Sequence, residues 1–126
     1  MSKIDNVKKY VNTIFDGIEN PDEKHSAYIH SYGVSQACTL LAAKRGLNLE
    51  LAAIIGLLHD VYRYKTGTTD WHSQNGAEMV RVAFKYNVMN EVFTDDEQII
   101  IKSAIFHHLS KDLVHDEYDE LLKDSD

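Results

Sequence analysis

Apolar residues fall at Ile4, Val7, Val11, Ile14, Phe15 and Ile18, in steps of three and four, which predicts a helix with one buried face. Gly17 and the Asn20-Pro21 pair close it. Asn20 as N-cap, Pro21 at the first helical position and Glu23 three residues after the cap predict a second helix to about Lys44, with Gly46 just beyond its end. Asn48 caps a third, whose stripe Leu51, Ile54, Ile55, Leu58 runs into His59-Asp60 and on through Tyr62-Arg63-Tyr64-Lys65 until residues 66–70 break it. A fourth helix covers roughly Ser73 to Tyr86, with Gly76, Val80, Ala83 and Phe84 on one side.

The fifth helix has the clearest start. Thr94-Asp95-Asp96-Glu97 is a capping box with acids at the positive end of the helix dipole, and the body runs to about His108. Ile99-Ile100-Ile101 alone would suit a strand, but the cap and the stripe Ile101, Ala104, Ile105, His108 outweigh it. Residues 111–126 hold seven acids against two lysines, yet Tyr118, Leu121, Leu122 and Ser125 keep helical spacing, so a solvated, partly frayed terminal helix is expected. The expected fold is all-α, a bundle of about six helices in a single domain spanning 1–126.

Composition narrows the class. With 44% hydrophobic and 26% charged residues the chain is an ordinary globular one. A single cysteine, Cys38, excludes an intrachain disulfide and any multi-cysteine metal site, which fits a reducing cytoplasm. The N-terminus lacks a signal-peptide core, and no apolar run approaches a membrane span. A formal charge of −7 argues against binding a nucleic-acid polymer but leaves a small phosphorylated partner open. Oligomeric state is not legible.

The chemistry lies in the histidines. His30 shares a stripe with Val34, Ala37 and Leu41; His59 follows Ala52 and Ile55; His72 precedes Gly76, Met79 and Ala83; His108 follows Ile101, Ala104 and Ile105. One such histidine is usually a hydrogen-bonded core residue, but four on different helices, with Asp60 beside His59, point to a metal held by nitrogen and oxygen. His25 and His115 read as surface residues. His107 cannot point the same way as its neighbour and is expected to line the site or support a ligand. Asp126, four residues after Leu122 and eight after Tyr118, fits an inward stripe, whereas Asp124 lies on a more polar face.

The motifs His30-Ser31-x-x-Val34, Leu57-Leu58-His59-Asp60-Val61 and Ser125-Asp126 together resemble the HD-domain superfamily of metal-dependent phosphohydrolases. His72-Ser73-Gln74-Asn75-Gly76-Ala77 and Ala104-Ile105-Phe106-His107-His108 look like the extra histidines of its two-metal branch. The similarity covers about 25–126, with 1–20 an additional N-terminal helix. It implies one ion on His30, His59, Asp60 and Asp126, and a second on His72 and His108, with Asp60 bridging. Members of the family usually continue their last helix past this aspartate, so either the sequence is a truncated piece or Asp126, at an end prone to fraying, holds the first ion weakly.

Such ligands suit manganese, iron, cobalt, nickel or zinc. The implied activity is hydrolysis of a phosphoester or phosphoanhydride bond in a small nucleotide-like substrate by a metal-activated hydroxide. The alternatives are an HD-type diiron oxygenase, which uses the same six ligands, and a non-catalytic nucleotide-binding module. Arg63 and Lys65 stand where the resemblance implies a cation near the substrate phosphate, and either also suits an ordinary helix C-terminus. Tyr62, Tyr64 and Trp71 are expected to pack.

Overall fold

The computed structural model describes residues 2–126. Among them are seven helices and no strand: α1 (Lys3–Asp16), α2 (Pro21–Arg45), α3 (Leu49–Leu58), α4 (Val61–Thr66), α5 (His72–Lys85), α6 (Asp95–His107) and α7 (Glu117–Ser125). The chain is thus all-helical, as the spacing predicts. Five helices are capped by side chains at their starts. Ser2, Thr94 and Asp116 form capping boxes with Asp5, Glu97 and Asp119, and Asn20 and Asn48 accept backbone N–H bonds at the starts of α2 and α3. Gly46 ends α2 at φ 71°, a left-handed conformation that suits glycine.

The difference from the expected count lies at His59-Asp60. One helix was expected to run through this pair, but α3 ends at Leu58, His59 is its C-cap, and Asp60 (φ −117°, ψ 16°) starts α4. The His59 ring donates from Nδ1 to the Gly56 carbonyl at 2.7 Å, satisfying an acceptor of the last turn from a side chain. The pair therefore sits at a bend inside the core rather than along a helix face.

α3 is the central element. Ala52, Ile54, Ile55, Leu57 and Leu58 are fully buried, with α2, α1, α6 and α7 packed around them. α2 crosses α3 so closely at Gly56 that an added Cβ would lie 2.5 Å from Ser35 Cα. α1 presents Val7, Val11 and Phe15 to the core, and Phe15 meets Tyr28 and Tyr64 edge to face at 5.2 and 5.4 Å. α5 and α6 pack together, with α5 also against α4 and α6 also against α3 and α7.

α7 corrects the expectation of a solvated, frayed end. Leu121 and Leu122 are completely buried, Asp119 is buried against the Ser103 hydroxyl at 2.9 Å, and Lys123 donates to the Leu113 carbonyl and to Glu120 at 2.7 Å. Its acids are in part internal partners, which charge counting along the chain cannot reveal.

Candidate metal centre

Helix ends converge on one point. His59 caps the C-terminus of α3, His108 that of α6, and Asp126 that of α7; Asp60 opens α4 and His72 is the first residue of α5. Only His30 comes from mid-helix, in α2.

Asp60 joins two groups of side chains. Its Oδ2 lies 3.3 Å from His30 Nε2 and 3.4 Å from His59 Nε2. Asp126 Oδ1 lies 3.2 and 3.3 Å from the same two nitrogens, which are themselves 3.1 Å apart. On the other side, Asp60 Oδ1 faces His72 Nε2 at 3.5 Å and His108 Nε2 at 3.7 Å. His30-His59-Asp60 and Asp60-His72-His108 each bring their ligand atoms within 4.8 Å of one another.

These spacings fit metal ligation. Bonds of about 2.1 Å place neighbouring ligand atoms about 3.0 Å apart around an octahedral ion and about 3.4 Å apart around a tetrahedral one. The first group falls in that interval and the second is slightly wider. Among the described residues three buried side-chain atoms make no hydrogen bond, Ser31 Oγ, Asp60 Oδ1 and His108 Nε2, and the last two face each other across the second group. Unpaired burial of a carboxylate oxygen and an imidazole nitrogen is costly unless a cation lies between them.

The tautomers agree. His59, His72 and His108 each direct Nδ1 at the carbonyl three residues earlier, those of Gly56, Thr69 and Ile105, at 2.7, 2.9 and 2.6 Å. With the ring proton held there, each Nε2 presents its lone pair to the centre. That orienting role of the 56, 69 and 105 carbonyls is one that residue identity does not signal. Trp71, directly before His72, adopts φ 54°, an uncommon conformation for so large a residue beside a site.

Without a metal, protons take the cation's place. Hydrogen bonds to Asp126 and then Asp60 raise His30 to about 9. For His59 burial acts in the opposite direction, but the same two carboxylates outweigh it and raise the ring to about 10. Burial pulls Asp60 upward, yet His30 and His59 hold it well below the usual carboxylate range, and they do the same for Asp126. Burial holds His108 below its ordinary value, so its ring stays neutral.

Not every residue singled out in the sequence reaches the centre. Arg63 does, with Nη1 3.7 Å from Asp60 Oδ2. Lys65, two residues on and so on the other side of α4, instead lines a surface groove with Tyr10, Tyr62, Met79 and Val88. His107 turns away, its Nδ1 3.4 Å from Asp119 Oδ2 and its ring stacked on His115 at 3.9 Å. His115 is therefore a half-buried partner rather than a free surface residue, while His25 is exposed as expected. Asp124 pairs with Arg45 at 2.6 Å, away from the centre. Tyr64 packs on Phe15, but Trp71 is 74% exposed and does not pack as expected.

The sequence model of the HD domain family matches residues 27–126, so the chain belongs to the HD domain family, a superfamily of metal-dependent, hydrolase-type enzymes. No solved structure matches the chain. His30, His59, Asp60, His72, His108 and Asp126 all fall within the matched segment.

Proposed function

We propose that the protein is a metal-dependent phosphohydrolase that splits a phosphoester or phosphoanhydride bond of a small nucleotide-like molecule. The observation that carries this reading is the double use of Asp60, with Oδ2 toward His30 and His59 and Oδ1 toward His72 and His108. A carboxylate between two sets of imidazoles is the arrangement that holds two divalent ions close together. His30, His59, Asp60 and Asp126 would hold one, and Asp60, His72 and His108 the other. Bound there, manganese, iron, cobalt, nickel or zinc supplies Lewis acidity and a water with its pKa lowered toward neutrality.

The chain's own groups do the rest. Water oxygen bonds to phosphorus as the bond to the leaving oxygen breaks, yielding inorganic phosphate and an alcohol or shorter phosphate, with the water proton ending on the leaving oxygen. Arg63, 46% exposed and beside Asp60, directs its guanidinium at the non-bridging oxygens, where charge rises in the transition state. The carbonyls of Gly56, Thr69 and Ile105 fix the histidine rings so that no reorganisation accompanies the reaction.

A small substrate in the cytoplasm suits the acidic surface better than a polymer, since the net charge of −7 repels nucleic acid. No described helix is long and apolar enough to cross a membrane. The test is metal content and phosphate release on protein purified without added metal, across a panel of nucleotides and phosphomonoesters. Two ions per chain, falling to one in His72→Ala, with release of phosphate, is expected. Tightly held iron with an oxygen-dependent spectral change and no phosphate release from any substrate would overturn it in favour of an oxygenase.

A further inference from the structure

A cavity of about 380 Å³ adjoins the candidate centre, within the size range of small-ligand sites. None of the six candidate ligands lines it, but two lining residues touch them. Arg63 lines it with Nη1 3.7 Å from Asp60 Oδ2, and Thr69 lines it while its carbonyl accepts from His72 Nδ1. Ile18 and Tyr64 add apolar surface, and Asp22 and Glu23, from the first turn of α2, form its acidic wall.

The charge is arranged with a direction. Among the described residues lining the cavity, Arg63 is the only cation, and it is the one that reaches Asp60. Neither Asp22 nor Glu23 makes an ion pair among the described residues, so both carboxylates keep free acceptor capacity. A second phosphate would ordinarily favour a helix N-terminus such as this one. Here the Asn20 side chain already accepts from the N–H groups of Asp22 and Glu23 at 2.9 and 3.1 Å, and the two carboxylates occupy the positive end of the dipole.

We propose, resting on the phosphohydrolase reading, that this cavity takes the leaving group of the substrate and that Asp22 and Glu23 select its charge. The substrate is then a phosphomonoester of a neutral or cationic alcohol rich in hydrogen-bond donors, and a polyphosphate or bisphosphate is rejected. Arg63 receives the scissile phosphate at one end; the acidic wall accepts hydroxyl or amine donors at the other.

The test uses a matched pair of ligands, 3-aminopropyl phosphate and propane-1,3-diol bisphosphate, which have the same length and opposite charge at the far end. Both kcat/KM for phosphate release and the dissociation constant by calorimetry are measured on manganese-loaded protein. Wild type is expected to favour the aminopropyl ester by about tenfold or more in both quantities. The double variant D22N/E23Q, whose side chains are not part of the α2 cap, lowers that preference to about threefold or less, and added salt does the same in wild type.

A preference of wild type for the bisphosphate, or a ratio unmoved in the double variant, overturns the assignment. If neither compound is hydrolysed, the calorimetric ratio still decides the cavity's selectivity, while the phosphohydrolase reading stands or falls on the wider substrate panel. Equal affinity for the two compounds, or no binding of either, overturns the cavity assignment.

Discussion

Gly56→Ala offers a sharp test of how the fold positions the site. An added Cβ would lie 2.5 Å from Ser35 Cα and 2.7 Å from Ser35 N, both backbone atoms of α2 that have no rotamer to change. Bringing those contacts to an ordinary separation requires α2 and α3 to part by about 1 Å, an overpacking that costs about 1–3 kcal/mol. A backbone clash belongs at the upper end. Exchanging glycine for alanine inside a helix returns about 1 kcal/mol of propensity, leaving a net loss of about 2 kcal/mol. For a domain of this size that lowers Tm by about 8 °C.

The same shift acts selectively on the metal centre. α2 carries His30 and α3 ends in His59, whose Nε2 atoms are 3.1 Å apart, so parting the helices opens the first ligand group. His72 and His108 lie on α5 and α6 and are not levered apart. Thermal unfolding in chelator, followed by metal titration with stoichiometry, reads both effects. The variant is expected to lose affinity at one site by about tenfold while the other is unchanged, in line with the effect of disturbing a ligand's support. An unchanged Tm together with two unaltered sites would refute the reasoning.

Three further outcomes follow from the geometry. Asp60→Ala removes the carboxylate shared by both ligand groups, so metal analysis is expected to find both ions lost and phosphate release to fall by at least ~100-fold; near-normal turnover would refute the bridging role. Arg63→Ala is expected to lower kcat/KM about tenfold while Lys65→Ala changes it less than about twofold, because only Arg63 reaches Asp60; equal losses would put Lys65 back at the site. In chelator-treated protein His30 and His59 are raised to about 9 and about 10, so the stability they confer is complete below their unfolded value of 6.5 and is lost as pH rises through 9 and 10. Tm of metal-free protein should therefore fall between pH 7 and pH 10 by more than that of a His30→Gln variant, and parallel curves for the two would contradict the assigned proton sites.

Much of this molecule is written in local pattern. Helix starts were legible because a cap needs only residues within one turn, as at Asn20, Asn48 and Thr94. His30, His72 and His108 stood out because helical periodicity places them on apolar stripes, and Asp60 because it adjoins His59 at the end of the most apolar helix. Periodicity also favoured His108 over His107 and Asp126 over Asp124, and in the structure His108 and Asp126 face Asp60 and its partners while His107 and Asp124 engage Asp119 and Arg45.

Other features depend on what meets what across the fold. The bend at His59-Asp60 goes with a side chain bonding to the Gly56 carbonyl, which helical spacing does not encode. The acids of α7 looked solvated in sequence, yet Asp119 is buried against Ser103, a partner sixteen residues away. Lys65 and Arg63 are alike in charge and near in sequence, but a rotation of about 200° between them on a helix sends one to the centre and the other to a separate groove. By itself the sequence determined the all-helical class, most helix starts, the family and the candidate metal ligands, because these rest on residue type and spacing within a few turns. Tertiary structure alone decided that the chain bends at His59-Asp60, that three backbone carbonyls orient the histidine rings and that a cavity with two acids opens beside Arg63, because such distances and walls are set by helices packing together, not by residue type along the chain.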